Sequence, residues 1–209
     1  MTDTHHDGVF VTLDGPGGVG KSTVTAALAE QLTTLDRPVL ATREPTDTTL
    51  GNLARHGTDT YSGLPMAHLI AADRHLHLAT EIRPALARGA VVICDRYIAS
   101  SLVLQRIDGL TIDTVWEINR HADRPDLSVI LTAHPEALDG RLAARGAHSR
   151  YERMPGSSKA EAEFYVDAAN HLTAAGIRTL VLDATHATPT ELARTIAATV
   201  TALRTGGTP

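Results

Sequence analysis

The stretch FVTLDGPGGVGKSTV, Phe10 to Val24, decides the fold. An apolar run from Val9 to Leu13 stops at Asp14. Gly15-Pro16-Gly17-Gly18-Val19-Gly20-Lys21-Ser22 then satisfies every fixed position of the G-x-x-x-x-G-K-[ST] phosphate loop. Glycines let successive backbone N–H groups turn inward on phosphate oxygens, and Lys21 reaches the β and γ phosphates of a bound nucleotide. Ser22 supplies the hydroxyl expected to hold magnesium, and the helix starting there points its positive end at the anion. In STVTAALAEQLTTL, residues Val24, Leu28, Leu32 and Leu35 recur at helical spacing. A strand before the loop and a helix after it set this match apart from a chance Gly-rich turn. Gly15, Gly17, Gly18, Val19, Gly20, Lys21, Ser22 and Thr23 are therefore the expected contacts to ATP.

Working outward, β-type apolar runs recur at 9–13, 38–42, 90–94, 127–132 and 178–182, with helical patterns between them. Strands alternating with helices predict an α/β fold with a parallel sheet covered on both faces. In such sheets ligands lie beyond the carboxyl ends of the strands, so each strand end is a place to look for chemistry. The polar segment GAHSRYERMPGSSKAE, Gly146 to Glu161, reads as a mobile loop, and the tail from Arg204 as disordered.

Length and charge narrow the alternatives. A chain of 209 residues suits one compact domain. Its net charge of −5 does not indicate a broad nucleic-acid-binding face. The single cysteine, Cys94, rules out an internal disulfide and fits a reducing cytoplasm. No apolar run approaches membrane-spanning length, and the polar start lacks a signal peptide's apolar stretch. His5 and His6 read as part of a frayed terminus, and the other histidines show no metal-site spacing.

Two further constellations carry chemistry. In GAVVICDRY an apolar strand ends at Asp95, the arrangement that sets a carboxylate near magnesium beside a phosphate loop. Arg96 next to it offers a forked donor to phosphate, although an Asp-Arg pair there also fits a structural salt bridge. Arg141, Arg145, Arg150 and Arg153 crowd the region around the polar loop. A hinge carrying arginines beside a phosphate loop reads as a lid, spanning about 141–160, that closes over a charge-rich transition state and excludes water.

Together these residues resemble the thymidylate kinase family of nucleoside monophosphate kinases over nearly the whole chain. The resemblance rests on the phosphate loop, TREPTDTTLG, LIAADRHLHLATEIRPALARGAVVICDRYIASSLVLQ, PEALDGRLAARG and LVLDAT. It implies a five-stranded parallel sheet, ATP with magnesium held by Ser22 and Asp95, a homodimer, and lid arginines Arg145 and Arg150. It places Arg74 and Arg96 on the acceptor's phosphate, Ser101 and Gln105 at its base, and Asp183, Ala184 and Thr185 against adenine.

This sequence departs from the family on the acceptor side. Gly17 stands where the family carries an Asp or Glu toward the sugar hydroxyl. Ile70 replaces the aromatic that stacks on thymine, and Leu104 replaces a tyrosine that screens the sugar. Aromatic residues make up only 3 % of the chain, so few replacements exist; Tyr61 and Trp116 are the candidates. These changes point to an altered or broadened acceptor. A nucleoside kinase remains an alternative, with Glu44 of the Glu44-Pro45 pair as base toward a 5′-hydroxyl. So does a regulatory protein that binds ATP without transfer.

Overall fold

Each of the five apolar runs forms a strand, offset from expectation by no more than one residue. The computed structural model describes residues 8–34, 37–146, 149–154 and 156–205. Strand β1 (Val9–Asp14) leads through the phosphate loop into α1 (Lys21–Leu32), and β2 (Val39–Arg43) comes next. Helices α2 (Thr49–His56) and α3 (Gly63–His77), a π-helical turn (Leu78–Ile82) and α4 (Arg83–Ala87) precede β3 (Val91–Asp95). Then come α5 (Ile98–Ile107), α6 (Ile112–Ile118), β4 (Leu127–Thr132), α7 (Pro135–Arg145), α8 (Arg150–Arg153), α9 (Ser157–Ala174), β5 (Thr179–Asp183) and α10 (Pro189–Thr205).

All pairings are parallel, in the order β2-β3-β1-β4-β5. The central strands β1 and β3 are buried along their whole length, which explains their unbroken apolar runs. Period-two alternation still divides them between two cores. Val9, Val11 and Leu13 pack with Val24, Leu28 and Leu32 of α1 and with Ile196 and Val200 of α10. Phe10, Val92 and Cys94 face the other way, onto Leu78, Ile82, Leu102 and Tyr165. The predicted stripe along α1 is thus observed, with Leu35 outside the described residues.

The register decides where the chemistry gathers. Leu13 lies beside Asp95 and Asp14 beside Ile130, so the segments after β1 and β3 emerge side by side. Gly15 adopts φ 151°, and a Cβ there would lie 2.5 Å from the Leu131 carbonyl oxygen. Asp14 is fully buried. Its Oδ1 accepts from the backbone N–H groups of Tyr97 and Ser100, each at 2.9 Å, and from Ser100 Oγ at 2.7 Å. A side chain from the end of one strand thereby caps the first turn of α5.

Two expectations change. The polar segment expected to be a mobile loop holds α8 and the first turns of α9, while residues 147, 148 and 155 lie outside the described set. Ser149 caps α8 by accepting from the Glu152 N–H, so its Ser and Gly content marks helix ends rather than a long loop. At the C-terminus α10 continues through Thr205, beyond the expected start of a disordered tail; residues 206–209, like His5 and His6, lie outside the described residues. Among the described residues no helix is long and apolar enough to cross a membrane.

Candidate active site

The phosphate loop closes at Gly20, whose φ of 98° turns the chain into α1 with open space where a Cβ would stand. Lys21 folds back over the loop, donating from Nζ to the Gly15 and Pro16 carbonyls at 2.8 and 2.9 Å. Burial, helped by the nearby Arg96 charge, lowers its ammonium to about 7. Val19 turns its side chain into the core, leaving its backbone at the loop, while Gly18 and Thr23 line the cavity above. Ser22 Oγ donates to Asp95 Oδ2 at 2.6 Å. Asp95 Oδ1 is buried without a hydrogen-bond partner. A hydroxyl and an unpartnered carboxylate oxygen side by side form a hard, all-oxygen donor set that fits magnesium.

Arg96 follows Asp95 in the left-handed region, φ 72°, an unusual state for a residue with a Cβ. Its N–H bonds the Leu13 carbonyl at 2.8 Å, holding this turn against the end of β1. The guanidinium reaches Ser100 Oγ at 3.4 Å. It lines both the main cavity, of about 710 Å³, and a deeper niche of about 40 Å³.

The niche is the expected acceptor side. Glu44, Ile70, Arg74, Ser101, Leu104 and Gln105, the residues expected on that side, all line it. Arg74 is buried, and each of its three nitrogens donates: Nε to Glu44 Oε2 at 2.8 Å, Nη2 to Ser101 Oγ at 3.1 Å, and Nη1 to Asn119 Oδ1. Its guanidinium also stacks on the Tyr97 ring at 4.8 Å. Glu44 gives its other oxygen to His77 Nδ1 at 3.2 Å. Both carboxylate oxygens are thus engaged, which argues against Glu44 as a base toward a hydroxyl. Glu44, His77 and Cys94 bring ligand atoms within 4.8 Å of one another, unexpected from their spacing. The Arg74 cation on Glu44 and a Cys94 thiol that burial keeps protonated oppose a metal there. Gln105 Oε1 is buried with no partner and stands ready to accept a ligand N–H.

The segment expected to act as a lid holds more than arginines. Arg141 and Arg145 line the cavity. Arg141 Nη2 also donates to the Ala184 and Thr185 carbonyls at 3.0 and 3.1 Å. It thereby steadies the Asp183–Thr185 turn, where Thr185 N–H and Oγ1 both donate to Asp183 Oδ1. Arg145 donates to Glu152 Oε2 at 2.8 Å. Arg150, expected beside it, turns away: Nε donates to the Thr58 carbonyl at 2.6 Å and Nη2 to Asp108 at 2.8 Å. The buried Asp108 carboxylate attracts it, and also accepts from Tyr151 OH at 2.9 Å. The aromatic wall of the cavity is neither Tyr61, which packs against Gly57, nor Trp116, which lies edge-on to His171; it is Tyr151. Asp14, Tyr151, Glu152 and Glu161 were not singled out by sequence alone. For α8 a signal existed: Ser149-x-x-Glu152 has capping-box spacing.

A phosphate loop, an acidic strand end, a guanidinium shared between two cavities and α7 arginines lining the larger one fit a nucleotide phosphotransferase of the P-loop class. Comparison with known proteins places it more closely. The Thymidylate kinase family model matches residues 13–196, and the chain belongs to that family. It is 39 % identical over 155 residues to a probable thymidylate kinase of Pyrococcus abyssi, covering 70 % of this chain and 76 % of the relative. It is 40 % identical over 160 residues to a thymidylate kinase of Leifsonia xyli subsp. xyli, covering 72 % and 75 %. Its fold and family thus make it a nucleoside monophosphate kinase.

Removing Arg74 would strand the buried Glu44 carboxylate. Arg74→Ala should therefore lower unfolding stability by about 3–5 kcal/mol in chemical denaturation, besides weakening acceptor binding. A variant as stable as the parent would show that Arg74 is not a support for the pocket floor.

Proposed function

We propose that the protein transfers the γ-phosphate of ATP to dTMP and related nucleoside monophosphates. One observation carries this reading: Arg96 lines both the cavity over the phosphate loop and the smaller niche, so a single half-buried cation would face both donor and acceptor phosphates. An acceptor phosphate oxygen forms a bond to the γ-phosphorus while the bond from phosphorus to the β–γ bridging oxygen breaks, releasing ADP. Ser22 and Asp95 would hold Mg2+, which when bound offsets charge on the phosphate oxygens. Lys21 and the loop N–H groups bind the β and γ phosphates, and Arg145 closes over the migrating group from the lid. Asp183, Ala184 and Thr185 border the adenine. Gln105 accepts an N–H from the acceptor's base, with Ser101 beside it in the niche wall. The engaged oxygens of Glu44 count against a nucleoside kinase, and Arg145 in the cavity counts against a purely regulatory binder. Exposed Leu53 on α2 and Leu64 and Leu76 on α3 support a homodimer through those helices.

Ile70 and Leu104 give the niche aliphatic walls where the family carries rings, so thymine selectivity is relaxed and dTMP is a non-exclusive acceptor. An aromatic stack contributes about 0.5–1.5 kcal/mol beyond area burial. A panel of nucleoside monophosphates should show dTMP preferred by less than about a hundredfold, and Ile70→Phe should raise that preference up to about tenfold. A parent enzyme already selective beyond that range would place thymine recognition in other contacts.

Lys21→Ala should lower turnover by several orders of magnitude with an unchanged melting curve, because the residue serves phosphate charge rather than core packing. Burial lowers the Lys21 ammonium to about 7 in the empty loop, and a triphosphate favours its charged form. ATP binding at pH 8 should therefore be accompanied by proton uptake in calorimetry across buffers of different ionisation enthalpy, and the Lys21→Ala protein should show less of it.

For the lid, Arg145→Ala should reduce kcat by about two to four orders of magnitude, more than it weakens ATP binding. Arg150→Ala, which frees Asp108, should reduce kcat by no more than about tenfold. Steady-state kinetics with the two effects reversed would mean that Arg150 leaves Asp108 for the phosphates during turnover.

A further inference from the structure

Resting on the kinase reading, we propose that His77 is a positioning residue for the acceptor. It holds one oxygen of Glu44 away from Arg74, so that Arg74 Nη2 stays turned toward the niche. The three side chains form a buried line, none of them more than 3 % exposed. Arg74 Nε donates to Glu44 Oε2 at 2.8 Å, and Glu44 Oε1 meets His77 Nδ1 at 3.2 Å. His77 lines a separate polar cavity of about 610 Å³ and not the niche, so its influence on the acceptor passes through Glu44.

What each group can donate or accept fixes the direction of these contacts. Glu44 faces the Arg74 guanidinium as a carboxylate, which only accepts hydrogen bonds, so His77 Nδ1 donates to it. The far ring nitrogen is held as well. Nε2 lies 2.9 Å from Thr42 Oγ1 on β2 and 3.1 Å from Glu81 Oε2 on the π-helical turn. An imidazole pinned at both nitrogens keeps Nδ1 aimed at Glu44. A carboxylate beside a guanidinium otherwise tends to fork, taking two parallel N–H groups. On the edge of an arginine that carries Nε, the second of those groups belongs to Nη2. Here Nη2 donates instead to Ser101 Oγ at 3.1 Å, on the niche wall, and Nη1 donates to Asn119. Ser101 and Asn119 are neutral, which leaves Glu44 as the carboxylate bonded to this guanidinium. Without His77, Glu44 Oε1 turns onto Nη2, closes the fork and draws Arg74 off Ser101. An acceptor phosphate then meets a guanidinium already held by two carboxylate oxygens.

Michaelis constants test this, because they do not depend on the folded fraction. His77→Leu removes both ring nitrogens, whereas His77→Asn keeps an N–H where Nδ1 stood. His77→Leu should raise KM for dTMP about tenfold or more, the effect of a hydrogen bond to a charged group, and leave KM for ATP within about twofold. His77→Asn should return KM for dTMP to within about threefold of the parent. In a Glu44→Gln protein, His77→Leu should change KM for dTMP by less than about twofold, because a neutral amide does not fork onto a guanidinium as a carboxylate does. Equal rises in both Michaelis constants, no rescue by Asn, or the same rise in the Glu44→Gln protein would mean that His77 only supports packing, and would overturn this proposal alone. A parent protein that phosphorylates no nucleoside monophosphate overturns the proposed function and this inference together.

Discussion

The site depends on the pairing of β1 with β3 and on the buried carboxylate that locks their ends. Parallel register puts Leu13 beside Asp95, so the phosphate loop and the Asp95-Arg96 pair leave the sheet as neighbours. Asp14 fixes the turn from β3 into α5. Three donors converge on one of its oxygens, two of them backbone N–H groups from the start of α5. Burial alone raises this carboxyl, and those hydrogen bonds are the opposing effect. Leaving such buried donors unmet costs about 1–3 kcal/mol each, enough to hold Arg96 in a backbone state it would otherwise avoid. From that turn the Arg96 guanidinium faces donor and acceptor cavities alike.

Charges around the loop are balanced so that an anion improves them. The Arg96 charge disfavours the Lys21 ammonium, while Asp95, Glu161 and Asp14 favour both cations. Burial makes the Lys21 ammonium a stronger acid than usual, and it donates to loop carbonyls. A phosphate chain entering this space replaces those carbonyls as acceptor and relieves the repulsion between the two cations. In a water-poor site such fixed charges count for more than they would in bulk solvent. Arg74, by contrast, is already engaged by Glu44, Ser101 and Asn119, and holds the pocket floor together.

Much of the donor side was legible in the sequence because its information is local. A phosphate loop is one contiguous segment between a strand and a helix, and Asp95 announces itself as the polar end of an apolar run. Ile70, Leu104 and Gln105 come together at the niche because they lie on helices whose phase is set by their own buried faces. The lid was not legible in that way. Its serines and glycines look like loop composition, yet they cap helices, and the direction of Arg150 depends on Asp108, distant in sequence and buried at the end of α5. Tyr151 and Glu152 obey the same geometry. With α8 tied to Asp108, Tyr151 and Glu152 on its short turn face the main cavity and Gly17.

The floor of the pocket and its upper walls are held in different ways. Glu44, Arg74, Asn119 and Ser101 are locked in one buried network beneath the pocket. Its upper walls, Tyr151 and Glu152, ride on a four-residue helix held by ion pairs and hydrogen bonds at its edges. The floor is thus fixed by one buried side-chain network, whereas the upper walls are fixed by pairs that reach α7 and Asp108, so substitutions can alter the two independently.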